Sequence, residues 1–361
     1  MVSFLKKEEI NTTRLYNLDL FKALTIVCMI FSHSMMILAR HRVGYENDII
    51  YFFSNVILAN YIFSGHVYVF SMGVGIVFTK KNAPADYIKR GVTLFLLGYV
   101  LMFFSFHIYM LIEAVIIGEY KRQMFLKFLT PDFFEFAGLA MILTGIFKKL
   151  KLKVIHIFII SVIMSVVGSF FVSIDTKNDV LNLLLGHFIT TTQDTSCFPL
   201  LNWYIFIAFG MCFAMIFRRI ENNDLFYKRL LVISGIASLI YIAFTFKFGV
   251  LFLTKFRLYY SVGTIDAVGL TCIDLFALSI FYFMIKRIGV SKLRIATEMS
   301  RNLTVIYFFH WCVIGFTDEI FGYIIGYKFP NTVIFFFSLL LIFVSFYFAR
   351  FWNKFKSRKS I

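Results

Sequence analysis

Charged side chains are scarce in this sequence. Only 16% of the 361 residues are Asp, Glu, Lys or Arg, whereas 60% are hydrophobic and 49 are phenylalanine. A soluble fold of this length cannot cover so much apolar surface with so few charges. The composition therefore excludes an ordinary soluble enzyme or binding domain. It predicts an all-α integral membrane protein whose partner is the lipid bilayer.

Cysteine is also infrequent, and the pattern of the five cysteines excludes two further classes. No CxxC or other zinc-ligand spacing occurs among them, so neither a disulfide framework nor a metal site is predicted. The chain also lacks HExxH, GxxxxGK, GxGxxG and GxSxG in a usable context. Their absence argues against a metalloprotease, a P-loop NTPase, a dinucleotide-binding enzyme and a serine hydrolase.

Acidic residues are fewer than basic ones, which gives a formal net charge of +16. The basic residues cluster between apolar segments instead of following one face. This distribution argues against nucleic acid as a partner and suggests charges that flank membrane spans.

Ten apolar segments bounded by charges predict about ten transmembrane helices. They fall at about 17–39, 50–79, 91–118, 133–147, 153–173, 199–217, 229–246, 264–285, 302–325 and 332–350. With the N-terminus inside, 25 of the 36 Lys and Arg residues lie on the inner side and 10 on the outer side, while Lys22 lies within a span. Because inner loops are enriched in Lys and Arg, this asymmetry predicts both termini in the cytoplasm. We expect one multi-pass domain, 1–361, in the cell membrane.

The first segment carries three ionisable residues, Asp19, Lys22 and His33. On a helix Lys22 and His33 lie about 20° apart around the axis, with Asp19 about 40° from that line. Charges facing lipid are costly, so a shared stripe is typical of a helix that lines a polar cavity. The alternative is that Asp19 and Lys22 lie at the headgroups and that His33 is a hydrogen-bonded packing residue.

Two segments of the chain resemble the acyltransferase-3 family. Leu18-Asp19-Leu20-Phe21-Lys22-Ala23-Leu24-Thr25 followed by His33-Ser34 is similar to its opening helix, in which ten residues separate a basic residue from a histidine. Leu20 and Ala23 replace two glycines that are usual there. The run Ser300 to Ile314, with His310-Trp311, is similar to a late helix of the family, and Cys312 replaces a usual proline.

The middle of the chain resembles another branch of transmembrane acyltransferases, the heparan-α-glucosaminide N-acetyltransferase-like proteins. The matching segments are Val69 to Ile76, Tyr87 to Val92 and Phe198 to Trp203. Glycines such as Gly73 in these segments are also commonly plain packing residues in membrane helices.

The resemblance implies an enzyme that transfers an acyl group, acetyl being the first candidate, from cytoplasmic acyl-CoA. The implied acceptor is a hydroxyl or amine of an extracytoplasmic carbohydrate or glycolipid, as in polysaccharide modification. A homo-oligomer is compatible with this reading. A transporter or flippase for a glycolipid or polysaccharide precursor is the main alternative. A receptor or assembly partner without chemistry is the third reading.

Site residues follow from the same resemblance. We expect His33 to act as general base or acyl carrier, since a histidine titrates near neutrality. Asp19 and Lys22 would order the inner mouth of a cavity, and His310 would be a supporting or acceptor-side group. Lys89 and Arg90 either bind the phosphates of the acyl-CoA or are plain positive-inside charges. His66, Glu113, Asp266 and Asp274 lie in other spans and Asp194 lies in an outer loop; none has motif support, and they are weaker candidates.

Overall fold

The computed structural model describes residues 6, 8–39, 63–120, 122–191, 197–248 and 260–358. Among these residues the secondary structure is helical, without a β-strand, and one isolated bridge joins Ala39 to Phe329. The all-α prediction is therefore confirmed for the described part of the chain.

The α-helices are α1 (Tyr16–Leu38), α2 (Gly65–Phe78), α3 (Pro84–Met102), α4 (Ile108–Ile117), α5 (Arg122–Phe128), α6 (Phe133–Lys149), α7 (Val154–Phe170), α8 (Asp179–Gly186), α9 (Leu200–Phe217), α10 (Asn223–Phe248), α11 (Thr264–Ile288), α12 (Arg294–Arg301), α13 (Leu303–Thr317) and α14 (Asn331–Arg358). A π-helical turn, Phe103–His107, joins α3 to α4, and a second, Asp318–Ile324, follows α13. A 3₁₀ turn, Val290–Leu293, precedes α12.

Seven helical stretches of the described chain are long and apolar enough to cross a membrane. They are Tyr16–Leu38, Pro84–Ile116, Leu200–Phe217, Asn223–Thr245, Thr264–Ile288, Leu303–Gly322 and Asn331–Ser357. The protein thus has the character of a multi-pass membrane protein.

The other three predicted spans correspond to shorter helices. α2 has 14 residues, and α6 and α7 have 17 residues each. The first part of the second predicted span, 50–62, lies outside the described residues. The count of ten spans and the orientation of the termini therefore stay predictions.

The chain folds as two compact units, each assembled from separate stretches of sequence. The first comprises Met1–Leu15, Gly65–Val100 and Lys121–Tyr282, and the second comprises Tyr16–Ser64, Leu101–Tyr120 and Phe283–Ile361. That all 361 residues act as one functional domain stays a prediction.

In the first unit α9 is the buried centre, and it packs against α2 and α7. Two glycines make the crossing of α2 and α9 close. A Cβ at Gly73 would collide with the backbone of Ile207, and one at Gly210 would collide with the carbonyl oxygen of Phe70. Membrane helices use small residues in this way to bring backbones together. Close helix packing is therefore enough to explain why these two positions are glycine.

In the second unit α1 occupies the corresponding position, because α12, α13 and α14 all pack against it. The π-helical turn Phe103–His107 packs on α13, where Gly315 lets the carbonyl of Ser105 approach the helix backbone. This turn is buried at Ser105 and His107. The helix that carries the first polar stripe is therefore enclosed by the three helices that follow residue 293.

Candidate active site

Asp19 lies in the first turn of α1, where α12 covers it. Its side chain is buried, and the Ser300 hydroxyl donates a hydrogen bond of 2.6 Å to its Oδ1. The Nζ of Lys22 lies 3.8 Å from the same oxygen, and the Lys22 side chain is 20% exposed. Asp19 is thus a fixed carboxylate, and Lys22 keeps part of its side chain accessible.

His33, three turns further along α1, meets His310 of α13. The Nδ1 of His33 lies 3.0 Å from the Nε2 of His310. The ring centroids are 5.3 Å apart and the ring planes differ by only 12°. This geometry is that of two nearly coplanar rings joined end to end by an N–H···N hydrogen bond. His310 is fully buried, whereas His33 is half-buried.

The hydrogen bonds of His310 determine which nitrogens carry protons. Its Nδ1 lies 3.0 Å from the carbonyl oxygen of Ile306, and a carbonyl oxygen only accepts, so this Nδ1 carries the hydrogen. In the neutral ring Nε2 is then the acceptor, and the Nδ1–H of His33 donates to it. The lone pair of His33 is therefore on its own Nε2. Among the described residues, the structure gives that atom no hydrogen-bond partner.

Aromatic rings hold His33 in this orientation. Trp311 lies against the face of His33, with ring centroids 4.3 Å apart and planes 30° apart. Tyr307 contacts the edge of both histidines, at 6.4 Å from His33 and 5.3 Å from His310. Phe106, from the π-helical turn, packs against the edge of Trp311 at 5.7 Å. A ring fixed by one hydrogen bond and one face contact has little freedom to turn its Nε2 away.

This arrangement suits proton transfer. A neutral imidazole with a free Nε2 lone pair can remove a proton from a hydroxyl or amine. A positive charge on His33 can be shared along the hydrogen-bonded chain to His310 and the Ile306 carbonyl. His310 orients His33 in the way a carboxylate orients the base of a hydrolase triad.

Lys89 and Arg90 lie in the first two turns of α3 and are exposed. They belong to the first unit, so their proposed role toward an acyl-CoA stays a prediction. Within the described residues no group of three or more His, Cys, Asp or Glu side chains is placed to hold a metal ion.

The first unit contains a buried histidine whose partner is a carboxyl group. The Nδ1 of His66, at the start of α2, lies 3.0 Å and 3.1 Å from the two carboxylate oxygens of Asp274 in α11. Both side chains are fully buried. The sequence gives no sign that these two residues are partners.

Two further residues of the site could not be assigned from sequence. Trp311 is part of the late-helix motif, but the motif gives no role for its ring. Ser300 stands at the start of the same run, and only the packing of α12 on α1 shows that it holds Asp19.

The acyltransferase-3 family model, described as an acyltransferase domain, matches residues 15–350. A search of curated proteins and a search of solved structures find no significant match. The match includes both histidines of the pair in α1 and α13. It extends over nearly the whole chain, and the chain therefore belongs to the acyltransferase-3 family.

Proposed function

We propose that this protein is a membrane-embedded acyltransferase that uses cytoplasmic acyl-CoA, with acetyl as the first candidate acyl group. The acceptor we propose is a hydroxyl or amine of an extracytoplasmic carbohydrate or glycolipid. The observation that carries the proposal is the His33–His310 pair, which leaves the Nε2 of His33 as an oriented base. The family match supports acyl transfer in general.

In this mechanism the acceptor group donates a hydrogen bond to the Nε2 of His33. Removal of its proton raises the nucleophilicity of the oxygen or nitrogen, which attacks the acyl carbon of the thioester. His33 then returns the proton to the departing thiolate. The two steps need one base in one position, which the contacts of His33 with His310 and Trp311 supply.

We assign Asp19 and Lys22 to the cytoplasmic mouth of the cavity that admits the acyl-CoA. Three turns of helix, about 16 Å, separate Lys22 from His33 along α1. Lys22 is held near Asp19 and remains partly accessible, so its ammonium group can meet an anionic part of the donor. Lys89 and Arg90, which are exposed on α3, are proposed to bind phosphates of the acyl-CoA.

The proposal includes ten spans with both termini in the cytoplasm. This part is supported by the larger number of Lys and Arg residues in the inner segments than in the outer ones. A reporter that is active only in the cytoplasm, fused after Ile361, should be active. Activity of a reporter that works only outside the cytoplasm would contradict the orientation.

The function is tested by the sidedness of transfer. Right-side-out and inverted membrane vesicles containing the protein are loaded inside with a panel of surface and cell-wall glycans and receive labelled acetyl-CoA, which does not cross lipid, on the outside. We expect labelled glycan only where acetyl-CoA meets the face that bears the basic loops and the glycan meets the other. Vesicles with the His33→Ala variant are the control. Equal labelling in both orientations would contradict the assignment of donor and acceptor sides.

A transporter of a glycolipid or polysaccharide precursor is the second candidate. The His66–Asp274 pair favours it, because buried ionisable pairs in membrane helices are typical of proton-linked transport. The same vesicles separate the two functions. A transporter moves the unmodified precursor across the membrane without acetyl-CoA, whereas the acyltransferase leaves a covalent label that depends on it.

A further inference from the structure

Trp311 carries a buried hydrogen-bond donor that the fold does not use. The side chain is only 8% exposed, and its Nε1 has no hydrogen-bond partner among the described residues. An indole N–H donates and cannot accept, and buried donors of this kind nearly always have a partner. Trp203 shows the usual situation, since its Nε1 donates to the carbonyl of Tyr260 at 2.9 Å.

The ring that carries this N–H is the ring that lies on His33. The centroid distance of 4.3 Å places the two rings in face contact. Phe106 packs on Trp311 at 5.7 Å and limits its movement. The unused donor therefore belongs to a ring that packs directly against the proposed base.

Acyl transfer needs a hydrogen-bond donor close to the base. The attacking oxygen or nitrogen of the acceptor lies about 2.6–3.2 Å from the base. This atom attacks the acyl carbon, and the acyl oxygen is bonded to that same carbon. A group that stabilises the developing negative charge must lie about 2.7–3.1 Å from that oxygen. These two requirements together put the donor on a residue next to the base. Trp311 satisfies this condition and has its N–H available.

We propose that the Nε1–H of Trp311 donates a hydrogen bond to the acyl oxygen of the thioester as that oxygen becomes negatively charged. Trp311 is then a catalytic residue of the reaction proposed above, and this inference rests on that proposed function. It adds to the base a specific stabiliser of the tetrahedral intermediate.

The bond changes balance as follows for a hydroxyl acceptor. A bond forms between the acceptor oxygen and the acyl carbon while the carbonyl π electrons move onto the acyl oxygen, and the hydroxyl proton moves to the Nε2 of His33. The carbonyl then re-forms, the carbon–sulfur bond breaks with its electron pair on sulfur, and the thiolate takes the proton from His33. The products are the ester and free coenzyme A, and Trp311 keeps its hydrogen throughout.

The face of Trp311 also has an effect that must be separated from that of its N–H. An aromatic face beside a protonated imidazole is attractive, so the ring itself favours the charged form of His33. Any substitution that removes the ring removes both effects. The test must therefore keep an aromatic face and remove only the donor.

The first experiment measures kcat and the KM for acetyl-CoA of the purified Trp311→Phe variant. We expect kcat to fall on the order of 10²-fold with little change in KM, because the hydrogen bond is made only as charge develops. Trp352→Phe, at an exposed tryptophan of α14, is the matched control and should leave both constants unchanged. An unchanged kcat in Trp311→Phe would overturn the proposal.

The second experiment replaces Trp311 site-specifically with 3-benzothienylalanine, in which sulfur replaces the indole N–H while size and aromatic face are kept. We expect a loss of kcat close to that of Trp311→Phe. Wild-type kcat in this variant would show that the ring face matters and the N–H does not, which overturns the proposal even if Trp311→Phe fails to fold. A failure of the proposed function is recognised separately, because the wild-type protein would then transfer no acetyl group, or His33→Ala would transfer it as fast as wild type.

Discussion

Each unit of this protein contains a histidine held by an ionisable partner, and the two partners differ in kind. His66 faces the carboxylate of Asp274, and neither side chain is exposed. His33 faces the neutral ring of His310 and is half-buried, with its Nε2 available. A carboxylate partner can form an ion pair with a protonated ring, which holds two helices together. An imidazole partner instead orients a neutral ring and leaves it able to take up a proton.

The largest expected effect is on activity, and it distinguishes His33 from His66. His33→Ala should lower acyl transfer by about 10² to 10⁴-fold, because the base is lost, with a normal amount of folded protein. His66→Ala should leave turnover per folded molecule near wild type and lower the thermal midpoint. The measurements are initial rates with labelled acetyl-CoA and thermal unfolding in detergent. A catalytic loss confined to His66→Ala would reverse the comparison.

The second expected effect concerns how much the buried His66–Asp274 pair contributes to stability. Asp274→Ala leaves the Nδ1 of the buried His66 without its hydrogen-bond partner, and an unsatisfied buried polar group typically costs about 1–3 kcal/mol. The double variant His66→Phe with Asp274→Leu should recover much of that loss, because no unpaired polar group remains. The thermal midpoints of both proteins test this. If Asp274→Ala is as stable as wild type, the pair does not hold α2 and α11 together.

The third expected effect tests the orienting role of His310. His310→Ala removes the acceptor for the Nδ1–H of His33, and misplacement of a catalytic group by about 1 Å can cost about 10²-fold in rate. In His310→Gln the amide oxygen can still accept that hydrogen, so part of the activity should return. Initial rates at matched protein amounts decide this. Equal losses in the two variants would indicate that His310 does more than orient the ring.

The smallest expected effect lies at the inner end of α1. Ser300→Ala removes the 2.6 Å hydrogen bond to Asp19, and a bond to a charged group contributes about 1.5–3 kcal/mol. Ser300→Thr keeps the hydroxyl and serves as the control. The readouts are the thermal midpoint and the KM for acetyl-CoA. A change in Ser300→Thr as large as that in Ser300→Ala would indicate a steric cause.

Sequence reasoning predicted the features that depend on one helix at a time. The all-helical fold follows from composition, and the stripe of Asp19, Lys22 and His33 follows from helical periodicity. His310 required the family resemblance, since a single histidine in an apolar span carries no periodic signal.

The pairings could not be predicted in the same way. His33 and His310 are separated by 277 positions, and nothing in the spacing within either helix shows that α1 and α13 pack together. The N–H of Trp311 is a stronger case, because an unsatisfied donor is a property of the surroundings and not of the residue. The hydrogen bond between Ser300 and Asp19 likewise depends on how α12 crosses α1.

The π-helical turn Phe103–His107 makes the site sensitive to chain length as well as to residue type. A π turn holds one more residue than the α-helical turn it replaces. Deleting one residue there would allow a regular α-helical turn and would move the side chains of the turn itself, including Ser105 and Phe106. Phe106 could then no longer support Trp311, and Ser105 would leave Cys312, to whose sulfur its hydroxyl now donates at 3.7 Å. A one-residue deletion could thus impair Trp311 while both histidines keep their place in the chain.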